Sequence, residues 1–451
     1  MPQGALRPEV DSRSSARALM TRQAHEVGEV SMTFESFIEA QSALLWSAFI
    51  IAFIMGAVVN KTNFCTMGAV SDLVNIGDAG RMGAWLFAIA VAVLGVTGLE
   101  YAGMVDVTDS FPPYRGGQLI WAENVLGGFL FGIGMTLASG CGNKCLIRIG
   151  GGNIKSIMVF LVIGVIAYFM INPFPGTDDT LMSLLFYDWI RPLAVTLPAK
   201  QDLGSLINAQ EPALPRLGIG LGVALVLLVL VFRSRDFRGR FDNILGGFIV
   251  GAAIIGAWYV SSNVVIDVDG EAYGLQSFAQ DWDFLADSAE GKPADTRPLA
   301  PQSYTFINPM GQSLGYASSG FSQAFLTFGV VTVLGIILGS LLWSLVSRSF
   351  QFEWFASVRD FVNHLVGAVL MGFGGTLALG CTIGQGITGV STLAVGSFLA
   401  LVSIIFGSAL TMKMQYYKLL YEEEATFGKR LLTALVDLRL LPRGMRRLEA
   451  M

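Results

Sequence analysis

Charge is scarce in this chain. Of 451 residues only 14% are charged, against roughly 25% in a soluble domain, which excludes an ordinary water-soluble fold. Histidine is scarcer: two residues, with no HExxH-type spacing, argue against a metal enzyme. Four scattered cysteines match neither a disulfide framework nor a tetrahedral zinc site. No GxxxxGK[ST] segment is present, so direct ATP coupling is not expected. No general-base or hydride-cofactor motif is visible, so no cofactor, no metal and no enzymatic reaction are expected. Nothing points to nucleic acid. Residues 1–31 lack an apolar core and do not read as a signal peptide. They read as a disordered polar tail carrying Arg7, Arg13, Arg17 and Arg22.

Apolar residues and glycine are what the chain has in excess. Hydrophobic residues make up 53%, there are 53 glycines, and the mean hydropathy is +0.59. The fold class is therefore an all-α polytopic membrane protein. A short amphipathic stretch near 33–43 reads as interfacial. Nine spans come after it, near 44–59, 83–99, 119–138, 154–171, 217–232, 243–260, 321–346, 361–379 and 398–412. Several are short for a crossing of about 20 residues. Beside Gly-rich polar segments, they suggest broken or re-entrant helices.

Loop charge sets the orientation. "RSRDFRGR" (233–240) has four arginines and one acid, and 413–451 has eight Lys/Arg; both read as cytoplasmic. The 261–320 loop, with eight acids against Lys292 and Arg297, reads as external, as do 100–118 and 172–215. The C-terminus is then inside and the N-terminus outside, although the arginines of the tail oppose this. With Cys141 aligned to Cys381, "GGFLFGIGMTLASGC" (127–141) and "GAVLMGFGGTLALGC" (367–381) share nine of fifteen residues. Threading sends 119–138 in from outside and 361–379 in from inside, so the repeats are inverted. The expected plan is 4+1+4: a first repeat at 44–171 and a connecting region at 172–242 that contains the linking span. A second repeat at 243–412 and a tail at 413–451 complete it. Inverted repeats put a substrate site near the midplane.

The chemistry concentrates after each "GC". "GNK" and "TIGQGITG" cannot continue a lipid-facing helix, since irregular backbone at membrane depth must be buried in protein or line a wet cavity. A restarted helix aims free N–H groups inward, which suits an anion. Gly140, Gly142, Asn143, Lys144 and Cys145, with Gly380, Thr382 and Gln385, are candidate substrate-binding residues. Lys144 and Arg148 serve equally well as cytoplasmic flank charges. Cys141 and Cys381 would face one another across the pseudo-twofold axis. Cys65, in "NKTNFCTMGAVSD" (60–72), would extend the row of thiols inward, with Lys61 and Asn63 at the cytoplasmic exit. A lone buried cysteine is usually filler; repeat-equivalent helix breaks favour a path. Cys145 could pair with Cys141 on one helix face, but its repeat partner is Gln385, which leaves it open as filler. Thr136 and Thr376 suit bonding to their own helices, and His364 and Glu123 read as interfacial.

The segments "NFCTMGAVSD" (63–72), "ASGCGNKC" (138–145) and "LALGCTIGQGITG" (377–389) resemble the YeeE/YedE family of sulfur-transport membrane proteins. The resemblance implies import of thiosulfate, or a related sulfur species, across a bacterial inner membrane. It implies that Cys65, Cys141 and Cys381 hand the substrate sulfur along by S–H···S contacts at a narrow constriction. It also implies a small cytoplasmic sulfur-carrier partner, for which 429–447 is a docking or membrane-surface segment. This chain departs from the family pattern at Asn63, where a basic residue is usual, and in the additional Cys145. Selenium species, a membrane sulfurtransferase that forms a Cys persulfide, and a soft-metal transporter are the alternatives.

Overall fold

The computed structural model describes residues 32–280, 282, 298–421 and 426–448; the polar tail before residue 32 lies outside them. The main unit spans residues 44–262 and 294–451. Its first part contains α1 (Phe37–Thr62) from Leu44 onward, α2 (Thr66–Ser71), α3 (Gly80–Tyr101), α4 (Trp121–Leu137), α5 (Gly142–Gly150) and α6 (Ile154–Ile171). A linking helix, α7 (Ala213–Arg233), precedes α8 (Phe241–Asn263), α9 (Ile307–Ser318), α10 (Phe328–Val346), α11 (Val358–Leu377), α12 (Val395–Tyr421) and α13 (Phe427–Asp437). Among the described residues, eight helical segments are long and apolar enough to cross a membrane. The ninth expected span is α11, a 20-residue helix whose first turns carry Arg359, Asp360, Asn363 and His364. The span expected from 321 begins only at Phe328. A second, small unit joins the described residues up to 43 with those from 263 to 282. In it a strand at Val264–Val268 pairs in parallel with Met32–Phe34 and antiparallel with Glu271–Gly274. The stretch near 33–43 is thus a strand followed by the start of α1.

Close glycine contacts disclose the symmetry. A Cβ at Gly127 would lie 2.7 Å from the Gly374 carbonyl oxygen, and one at Gly134 would lie 2.6 Å from that of Gly367. Shifting by 240 residues turns the first pair into the second, so α4 and α11 cross antiparallel about a pseudo-twofold axis. Other contacts obey the same exchange. Gly132 of α4 abuts Ile404 and Ser408 of α12, and Gly372 of α11 abuts Ile166 of α6. Gly335 and Gly339 of α10 press on Phe49 and Phe53 of α1, while Gly247 and Gly251 of α8 press on Ala84 and Ala88 of α3. The two repeats therefore interlock, each central helix packing on the last helix of the other repeat. Without a hydrophobic drive between helices in lipid, such backbone-to-backbone packing is what holds them together. The α7 helix stays peripheral, with Gly220 against Thr97.

One face of the bundle is tied down by a buried ionic network. Arg115 pairs with Glu100 at 2.5 Å and donates to the Thr392 carbonyl at 2.9 Å. Arg216 pairs with Asp202 at 2.8 Å and reaches Glu100 at 3.4 Å. Val395 donates to the Gln201 carbonyl, which holds the 200–203 segment over the start of α12. Burial opposes ionisation of Asp202, but the Arg216 hydrogen bonds and the nearby Arg115 charge outweigh it and hold its carboxyl below the ordinary aspartate range.

This packing and this network have measurable outcomes. Gly374→Leu drives a side chain into the α4 backbone, which costs about 1–3 kcal/mol or more, so the detergent-solubilised protein should melt several degrees lower by fluorescence-detected unfolding. The Asp202 contribution is complete above the unfolded aspartate pKa of about 3.9 and disappears as pH falls through the lower folded value. Hydrogen exchange over 200–207 should accelerate only in that acid range, and Asp202→Asn should make it fast at every pH.

Candidate functional site

The three helices that end just before a cysteine close in the same way. At the end of α1, Phe64 N–H donates to Val59 O at 3.3 Å and Asn63 N–H to Asn60 O at 3.2 Å. At the end of α4 the pair is Gly140 to Met135 (2.8 Å) and Ser139 to Thr136 (3.4 Å). At the end of α11 it is Gly380 to Gly375 (2.8 Å) and Leu379 to Thr376 (3.1 Å). This is the Schellman closure of a helix C-terminus, and it needs one left-handed residue. That residue is Asn63, Ser139 and Leu379, at φ +51°, +58° and +60°. None is glycine, so each break stores strain on the order of 1 kcal/mol or more. In every case the cysteine stands two residues beyond the strained position and opens the next helical segment. That segment is α2 after Cys65, α5 after Cys141, and a wide π-helical turn (Gly384–Gly389) after Cys381. Cys145 has no such position.

The thiols differ in what they still have to offer. All four are buried and unpaired. The Cys65 sulfur accepts the Gly68 N–H at 3.5 Å, and the Cys381 sulfur accepts the Gly384 N–H at 3.4 Å. Both therefore use a lone pair and keep the S–H proton free. Cys145 donates its S–H to the Ser156 carbonyl at 3.0 Å, so its proton is spent. Cys141 lies within electrostatic range of both Cys65 and Cys381 and beside Thr382. The structure thus brings Cys65, Cys141 and Cys381 together; Cys145 also lies in range of Cys141, with its S–H bound to α6.

The remaining candidates surround this row. Thr382, Asn143 and Gln385 are buried, and each has a side-chain oxygen without a partner; Gln385 also donates to the Ala378 carbonyl. Gly140 lies under Lys144, Gly142 under Phe306 and Ile307, and Gly380 against the Gln385 backbone; a Cβ at any of them would press on these neighbours. The Lys144 ammonium donates to Asn63 Oδ1 at 2.5 Å and lies in range of Cys65, Cys141, Arg81 and Arg148. Asn63 lines two cavities, one of about 280 Å³ with Lys144 and Arg148, the other of about 530 Å³ with Arg81 and Arg240. At the rim of the first, the Lys155 hydrogen bond holds Glu353 below its usual range. Lys61 is turned away, with its ammonium 5.6 Å from the Trp343 ring. Thr136 and Thr376 donate to the carbonyls of Gly132 and Gly372 in their own helices. His364 pairs with Asp360 and Glu123 with Arg191.

A fourth break is not evident from the sequence. The α9 helix lies inside the 261–320 stretch, and its first residues are buried. Phe306, just before α9, lies beside Gly142 and within range of the Cys381 thiol. "NFCTMG" (63–68) and "TFINPMG" (305–311) share Phe, Met and Gly once Pro309 is treated as an insertion. That pattern was the available signal, but α9 has neither an apolar run nor a cysteine to draw notice.

Interlocked inverted halves with broken helices meeting at buried polar groups define a membrane transporter of the inverted-repeat class. Residues 61–410 match the Sulphur transport family, and the chain belongs to it. Two relatives are named Thiosulfate transporter TsuA, from Escherichia coli K12 and Spirochaeta thermophila. Each is 24% identical, covering 81% of this chain and 93% and 97% of its own length, respectively. The protein is accordingly a multi-pass membrane transporter rather than an enzyme.

Because the turn at Ser139 is left-handed, Ser139→Gly should stabilise the protein by roughly 1 kcal/mol, and Ser139→Val should destabilise it, as read by thermal unfolding in detergent.

Proposed function

We propose that this protein imports thiosulfate, or a closely related sulfur anion, across a bacterial inner membrane. The observation that carries this is the convergence of three thiols from three equivalent helix breaks, two of them with a backbone N–H on sulfur and a free S–H. A thiol is a weak, soft donor that costs little to strip of water. It can therefore engage a terminal sulfur without holding it tightly. The anion passes from Cys381 and Cys141 to Cys65 by exchanging S–H···S contacts, with no bond made or broken. The nearby amides and unpartnered polar side chains replace its water, and Lys144, Asn63, Arg81 and Arg148 draw it into the two basic cavities. Their position on the side of the "RSRDFRGR" loop supports a cytoplasmic exit, a cytoplasmic C-terminus and an external N-terminus. The names of the two relatives support thiosulfate as the substrate. The basic tail around α13, with Lys429, Arg439, Arg443 and Arg447, is a surface for a small acidic sulfur-carrier protein.

The test is uptake of labelled thiosulfate into proteoliposomes. Cys141→Ala and Cys381→Ala should each slow uptake at least about tenfold, the effect of adding about 1.4 kcal/mol to the transport barrier. Cys145→Ala should transport like the wild type. Wild-type rates in both of the first two variants, at equal reconstitution, would remove the thiol path.

A further inference from the structure

The fourth break carries polar groups that the thiol row leaves unused. Thr305 and Asn308 flank the start of α9, are 7% and 8% exposed, and have a hydroxyl and an amide oxygen without a hydrogen-bond partner. Buried polar atoms of this kind call for a ligand or water. Both residues line a small closed pocket with Gln302, Ser303, Gln312 and Thr332. Its free space is about 10 Å³, close to that of one water-sized sphere. The Thr305 hydroxyl also overhangs the turn that comes after Cys381: a Cβ at Gly384 would collide with it. Thr305 therefore borders both the polar pocket and the first residues of the thiol path. The counterpart of this break in the first repeat offers a thiol, Cys65, where α9 begins instead with Ile307.

From this difference we infer that the Thr305 and Asn308 side chains hold the oxyanion end of the substrate while Cys381 engages its sulfur end. The assignment rests on the thiosulfate reading and adds the orientation in which the anion is held. Thiosulfate has a soft terminal sulfur and a hard sulfonate face. The Cys381 thiol suits the first. A hydroxyl donor suits the second, as does an amide that rotates to present its NH₂. The side chains lining the pocket are all neutral, so the anion is recognised without being trapped by a fixed counter-charge. Closure to the size of a single water fits an occluded form that widens to admit substrate.

Thr305→Val keeps the shape and removes the hydroxyl, and Thr305→Ser restores it. Losing one hydrogen bond to a charged group costs about 1.5–3 kcal/mol, so Thr305→Val should raise the KM for thiosulfate uptake by about tenfold or more. Thr305→Ser should return it near the wild-type value. Inhibition by hydrosulfide, which has a sulfur but no oxyanion face, should be unchanged in Thr305→Val. Wild-type KM in Thr305→Val, with uptake intact, overturns this assignment alone. Weakening of hydrosulfide inhibition in step with thiosulfate also overturns it, since that reports general damage to the path. Absence of thiosulfate uptake by the wild-type protein overturns the substrate reading and this assignment together.

Discussion

A helix broken at membrane depth strands backbone groups that lipid cannot satisfy, and the rest of this structure is arranged around that constraint. The three cysteine-bearing breaks meet it identically. Each C-terminus folds its last N–H groups back onto its own carbonyls, at the expense of a left-handed residue that is not glycine. The next segment begins two residues later with its own N–H groups free. Those amides lie beside the thiols, with the Lys144 ammonium in range of Cys65 and Cys141. The cysteines fall where one chain segment has been closed and the next has barely opened, which is why a backbone N–H reaches the sulfur of Cys65 and of Cys381.

The interlocked packing keeps these breaks in position. Because α4 lies on α12 and α11 on α6, neither repeat can fold around its own core and leave the other behind. The glycines at the α4–α11 crossing bring the two backbones into direct contact, so the breaks at the ends of these helices are fixed by main chain rather than by adaptable side chains. The proposed thiol path needs such rigidity, since contacts to sulfur are weak and lose their value with small displacements.

Much of this was legible in the sequence, for identifiable reasons. The repeat was visible because close helix crossings demand glycine at fixed spacing, and the aligned glycines of 127–141 and 367–381 are those that touch. Cys145 was separable because its partner position holds Gln385, and the structure gives its proton to Ser156. The fourth break was not legible. The α9 helix is buried by protein, so it needs no apolar run, and an acidic, loop-like stretch precedes it. Lys61 was assigned to the exit by proximity in sequence alone. At the last turn of α1, one residue of rotation separates the basic cavities from the Trp343 ring. The α11 helix is polar at one end, yet the apolar run of its remaining turns marked it as a span.

The α4–α11 crossing is self-reciprocal: each helix offers the other the same surface. That is the contact a symmetric dimer makes. A half-length ancestor able to insert in either orientation would already possess it, with two facing thiols and no further invention. Four crossings return a chain to the side from which it started, so simple fusion would leave both copies pointing the same way. The single added crossing of α7 removes that obstacle. A helix at the edge of the bundle, packed on α3, thus makes one polypeptide equivalent to two oppositely inserted ones. Once joined, the halves were free to diverge, and a thiol at the start of α2 could stand opposite the hydroxyl and amide that flank the start of α9.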